Sequence, residues 1–190
     1  KERTEEITSL RGHMAEFGIV AAPGIRALPK LFQSIEEAEL PKFALDLARA
    51  AFKRIVRLNE DITALDKKLS DEARTNKTVK RLQTMPGIGP VGAMAIVSFA
   101  PQMSQFSCGR DFSAWLGLVP KQRSSGNKIR MGRCTKMSQS DIRGLLIIGA
   151  MARIAAFQRH KTKPEPWLAD KLERKPRMLA AVALANKMAR

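Results

Sequence analysis

Two adjacent serines, Ser124 and Ser125, lie in a stretch whose side chains suit chemistry at a phosphate. From Gly117 to Lys136 the chain carries six Lys or Arg residues and no Asp or Glu. A serine hydroxyl attacks a phosphodiester when positive charge stabilises the developing oxyanion and a base accepts its proton. Lys121, Arg123, Lys128, Arg130, Arg133 and Lys136 supply the first requirement, with Gly126 giving the backbone freedom to turn. The second has no local source, because residues 112–140 contain no carboxylate and no histidine. The basic half of the chain also lacks an Asp/Glu cluster able to hold two Mg²⁺ ions, so no metal site is expected in it. A nucleophile here would take its proton acceptor or metal from elsewhere. The other reading of such a doublet is a solvated basic loop, and the two serines alone do not separate the readings.

The rest of the chain supplies the context. Its 190 residues fit one large domain or two small ones, and 44% apolar with 27% charged residues is a globular composition. The absence of Tyr beside abundant Ala, Leu, Met, Lys and Arg points to helices. The net charge of +16 is uneven: residues 1–72 sum to −1 and residues 73–190 to +17. The polyanion-binding surface therefore belongs to the second part, and nucleic acid is the polyanion it favours. Two cysteines, Cys108 and Cys134, are too few for a disulfide framework or a zinc quartet, which fits a reducing compartment. The opening residues are charged, so no signal peptide is expected, and the apolar run from Leu145 to Phe157 is too short to span a bilayer.

In order along the chain, Ile7, Leu10, Met14 and Phe17 mark a first helix over Arg3 to Glu16, uncapped as though the chain began inside a longer protein. A short helix follows over Ile25 to Ile35 with Pro29 early in it, then a long one from Pro41 to about Asn76. Phe43, Leu47, Ala51, Ile55, Leu58, Ile62, Leu65 and Leu69 form a coiled-coil-like stripe on that helix. The stripe fits self-association, and equally an antiparallel packing against the first helix.

The run Val79 to Ile96 resembles a helix-hairpin-helix. Gly87 and Gly89 allow a tight turn at positive φ, Ile88 plugs the space between the helices, and the next helix start offers amides to a phosphate. A turn with a purely structural role is the alternative. Ser107 is placed to cap a helix from Cys108 to Leu116, with Phe112 and Trp115 in the core. Beyond the serine stretch, a helix from Ser138 to Arg159 begins with Asp141 and places Arg143 near the same phosphate as Arg123. Two short helices, Trp167 to Arg174 and Leu179 to Met188, close the chain. The expected fold is all-α: a helical, coiled-coil-like linker over 1–77, then a compact helical domain over 78–190 with the helix-hairpin-helix and the basic serine loop.

The series PGIGP (86–90), DFSAWLGLVPKQRSSGNK (111–128), GR (132–133), TK (135–136) and DIRGLLIIGAMA (141–152) resembles the C-terminal transposase domain of the IS-one-ten family of bacterial insertion sequences. Members of that family also resemble Piv-type invertases. The resemblance runs through essentially the whole chain, including Arg174 to Lys187. It implies a DNA recombinase whose nucleophilic serine works with a RuvC-like DEDD domain that binds Mg²⁺ and is missing from this chain. It also implies double-stranded DNA and a structured noncoding bridge RNA as partners, a homo-oligomer (dimer or tetramer), and a place in the bacterial cytoplasm at the nucleoid. This chain alone would be inactive. The serine carries over to the Ser124–Ser125 pair, with Ser124 favoured because relatives carry Thr at the second position. Departures are Asn127 and Ser138, where the family often has Gly, and Gly144, where it often has Arg.

Two further readings stand beside this one. A non-catalytic nucleic-acid-binding and oligomerisation module would show steep salt dependence without chemistry. An accessory domain of a structure-specific nuclease would depend on Gly87 and Gly89 and ignore the serines.

Overall fold

The first helix, α1 (Glu2–Glu16), stops where Gly18 takes a left-handed conformation, φ +78. The amides of Gly18 and Ile19 return to the carbonyls of Ala15 and Met14, and buried Ile19 follows the turn into the core. Phe17, at the end of the expected apolar series, faces solvent instead. The computed structural model describes residues 1–126, 128, 130–137 and 139–190, which form two compact units, Lys1–Lys68 and Leu69–Arg190. The described residues are 71% helical with one small two-stranded sheet among them, which makes the fold mostly all-α.

In the first unit, a 3₁₀ turn at Ile25–Ala27 leads into α2 (Leu28–Glu37), with Pro29 in its first turn. Helix α3 (Lys42–Thr75) begins just after Pro41. Helix α1 runs antiparallel to it: Arg3 Nη1 donates to Asn59 Oδ1 (2.8 Å), and Arg54 pairs with Glu6 (2.6 Å). Ile7, Leu10, Met14, Leu31, Ile35, Ala48 and Ile55 share the core, and Phe32 stacks on Phe52 at 4.1 Å. Of the expected α3 stripe only Ile55 is buried. Phe43 and Leu65 are 80% and 63% exposed, and Leu47 also faces outward. The inward face is centred on Ala48 and Ile55, which are buried in the core of this unit.

Asn76 separates α3 from α4 (Lys77–Gln83). Its Oδ1 accepts from the amides of Thr78 (2.9 Å) and Val79 (3.2 Å), satisfying two donors that open every helix. Asn76→Ala should lower stability by about 1 kcal/mol, read as a shift in a urea unfolding curve without a change of slope.

The second unit continues with α5 (Pro90–Phe99), a 3₁₀ turn at Met103–Gln105 and α6 (Gly109–Trp115). Cys108, not Ser107, precedes α6, and its side chain makes no capping bond. Phe112 is buried and Trp115 half-buried, in a cluster with Phe106. The serine stretch, expected as an irregular loop, is an antiparallel hairpin of β1 (Pro120–Gln122) and β2 (Met131–Cys134), with Pro120 opposite Cys134 and Gln122 opposite Met131. Then come α7 (Ser140–His160), α8 (Pro166–Arg174) and α9 (Arg177–Ala189), the last starting directly after Pro176. Helices α7 and α9 are the central pair, through Ile142, Leu146, Ala150 and Ile154 on one and Ala181, Leu184, Ala185 and Met188 on the other. Ser138, expected to start α7, and the variant position Asn127 lie outside the described residues. Among the described residues no helix is long and apolar enough to cross a membrane.

Candidate functional site

Ser124 and Ser125 sit at the outer end of the hairpin. Backbone bonds join Arg123 to Arg130 (N to O, 2.9 Å) and tie Ser125 to Lys128 in both directions (3.3 and 3.2 Å). Between them Gly126 turns the chain at φ +55, a conformation that suits glycine. The two serines differ in their bonds. Ser124 Oγ accepts from Gln122 Nε2 (3.2 Å) and from the amide of Arg130 (3.2 Å). In both bonds Ser124 Oγ is the acceptor, so neither engages its hydroxyl proton. Lys121, Arg123, Lys128, Arg130, Arg133 and Lys136 are all exposed along the hairpin and at its base. None of the ion pairs among the described residues involves any of these six. The hairpin thus presents a cation field with no internal counter-charge.

Its base is held from two helices. Arg143 Nη1 on α7 donates to the carbonyls of Leu116 and Met137, both at 3.1 Å. Asn186 Nδ2 on α9 donates to Ser113 Oγ (2.8 Å) and to the carbonyl of Leu118 (3.1 Å). Gly117 between them takes φ +68, and a Cβ there would stand 2.5 Å from the Met137 carbonyl oxygen. Arg143, expected beside a phosphate with Arg123, therefore gives Nη1 to the backbone. Gln122 and Asn186 were absent from the sequence-based site. A lone Asn inside the apolar run Leu179–Met188 was the available signal for the second.

The α4–α5 turn holds the other expected contacts. Gly87 takes φ +100, as a tight turn requires, whereas Gly89 is the extended residue before α5 (φ −87) and needs no glycine conformation. Ile88 is buried in the common core with Ala93 and Ile96. Gly87 also meets α7: a Cβ built on Gly149 would overlap the Gly87 carbonyl oxygen. Gly89, Pro90 and Val91 face solvent. His13 and His160 are exposed on α1 and α7.

The family model described as "Transposase IS116/IS110/IS902 family" matches residues 79–164, from α4 through the hairpin to the segment after α7. Residues 79–164 are thus similar to that transposase family. Relatives extend the likeness over the whole chain. A Sinorhizobium fredii protein named as a transposase is 37% identical over all of this chain and 50% of its own length. The transposase for insertion sequence element IS1111A of Coxiella burnetii is 32% identical over all of this chain and 53% of its own. That for IS1328 of Yersinia enterocolitica is 30% identical, over all of this chain and 57% of its own. The chain spans about half the length of the curated relatives it matches. The transposase domain as matched ends before α8 and α9, yet α9 completes its core with Leu184 and Met188 and holds its hairpin through Asn186.

Proposed function

We propose that this chain is the serine-bearing half of an insertion-sequence transposase, a DNA-recombining enzyme in which Ser124 becomes covalently linked to DNA. The observation that carries the reading is the pair of donors on Ser124 Oγ inside a hairpin of unpaired cations. In the step proposed, Oγ attacks a backbone phosphorus. The Oγ–P bond forms, one P–O bond to deoxyribose breaks, and the hydroxyl proton passes to a base outside residues 112–140. The exposed guanidinium and ammonium groups stabilise the charge that gathers on the phosphoryl oxygens. The Mg²⁺ that the family resemblance implies is not assigned to residues 112–140, which contain no carboxylate and no histidine. We place Mg²⁺ and the proton acceptor on a RuvC-like part outside this chain.

Double-stranded DNA is the proposed substrate, contacted by the hairpin and by the outward α5 start at Gly89. The excess of +17 on residues 73–190 also suits a structured guide RNA. The exposed Phe43, Leu47 and Leu65 on α3 support a homo-oligomer. A cytoplasmic place at the nucleoid follows from the DNA.

The test is to trap covalent adducts between a full-length enzyme and labelled element ends on a denaturing gel. DNA joining without any denaturation-resistant serine–DNA link would refute the proposal. Binding has its own expected result. Six hairpin cations that each neutralise a phosphate give a log–log salt slope of about −5. Arg123→Ala or Lys128→Ala should weaken binding alike on every sequence and reduce that slope by about 1, as read by fluorescence anisotropy at several salt concentrations.

A further inference from the structure

A hairpin with strands of three and four residues and almost no buried face is not stable by itself in water, so something must hold it. We infer that Arg143 and Asn186 are positioning residues that clamp the base of this hairpin and set the angle at which Ser124 is presented. Its consequence for chemistry rests on the serine attack proposed above.

A single guanidinium nitrogen of Arg143 accommodates both legs, the Leu116 carbonyl where α6 ends and the Met137 carbonyl beyond β2. The fit is close: a Cβ on Gly117 would stand 3.1 Å from that nitrogen as well as 2.5 Å from the Met137 oxygen. Asn186 grips the first leg from the opposite helix, and its second partner, Ser113, is fully buried. A buried hydroxyl and a half-buried amide that satisfy each other favour one arrangement, because the Ser113 hydroxyl would otherwise be left without its partner. The two residues come from α7 and α9, the best-packed pair of the unit. The serine is thereby referred to the central helix pair of the unit, and a displacement of about 1 Å at a reacting atom can lower a rate about 10²-fold.

Amide hydrogen exchange on residues 1–190 tests the clamp. Arg143→Met keeps the apolar stem without the donors, and Asn186→Ala removes the other grip. In both, the amides of Arg123, Thr135 and Lys136, which bond to Arg130, Val119 and Gly117, should exchange at least about 10-fold faster. Those of Leu146 to Ala150 inside α7 should be unchanged. Unaltered exchange in the hairpin overturns the inference, and so does equal acceleration through α7, which would make both residues ordinary core supports. In a full-length enzyme the same variants should slow adduct formation about 10²-fold with DNA affinity within about 3-fold of the parent. A matching loss of affinity would assign Arg143 to phosphate contact and overturn its clamping role. A hairpin that loosens as expected in a protein whose parent forms no adduct would keep the clamp and remove the serine reading.

Discussion

In a full-length enzyme, Ser124→Ala should abolish the covalent protein–DNA adduct, while Ser125→Ala keeps the rate within about 10-fold of the parent. Loss of a nucleophilic serine lowers turnover by up to about 10⁶-fold where other catalytic groups remain, so the Ser124→Ala adduct should fall below detection. The asymmetry comes from the hydrogen bonds. Ser124 Oγ receives the Gln122 side-chain amide and the Arg130 backbone amide, whereas Ser125 is held across the hairpin by its backbone. The Ser125 variant leaves both donors in place. Gln122→Ala removes one of the two, and the rate should fall about 10-fold as Ser124 Oγ loses a partner that fixes its position. An adduct that survives in Ser124→Ala but vanishes in Ser125→Ala would exchange the two roles. Survival in both would end the serine reading.

The helices were legible because long amphipathic runs carry their period in the chain. Ile7, Leu10 and Met14 are buried as their spacing requires, and Ile142, Leu146 and Ile154 form the inward stripe of α7. The hairpin was not legible. Its strands are short and expose nearly every residue, so there is no alternation of apolar and polar positions to detect, and pairing rests on backbone bonds. The stripe on α3 was legible as spacing alone. Spacing located apolar residues on the helix, but which of them pack inward depends on where α1 and α2 lie, which is not encoded locally. The serine pair itself stood out through charge and glycine, whereas its supports lie far along the chain. Asn186 is 68 residues from Leu118, and Arg143 is 27 from Leu116. A polar residue in an apolar helix signals only that some partner exists.

Gly87 and Gly149 are the same lesson in backbone form, and they carry the largest expected effect on stability. A glycine inside a helix usually gains about 0.5–1 kcal/mol when replaced by alanine. Gly144 and Gly149 lie in one helix, five residues apart, and should answer in opposite directions. Nothing lies within 4 Å of a Cβ at Gly144, so Gly144→Ala should stabilise by that amount. A Cβ at Gly149 overlaps the Gly87 carbonyl oxygen, and that obstacle is backbone, which does not rotate away as a side chain would. Gly87 has little room to retreat. Its own added Cβ would meet Met188 Cε at 3.0 Å and the Gly149 carbonyl oxygen at 3.1 Å, and its φ of +100 holds the turn in a region that other residues resist. Overpacking of this kind costs about 3 kcal/mol, which outweighs the helix-propensity gain several-fold. The midpoint of thermal unfolding of Gly149→Ala should therefore drop by about 10 °C, while that of Gly144→Ala rises by a few degrees. Equal midpoints for the two variants would mean that the α4–α5 turn does not rest on α7. The turn would then be free to move as a separate element, and its glycines would be there for a ligand and not for packing.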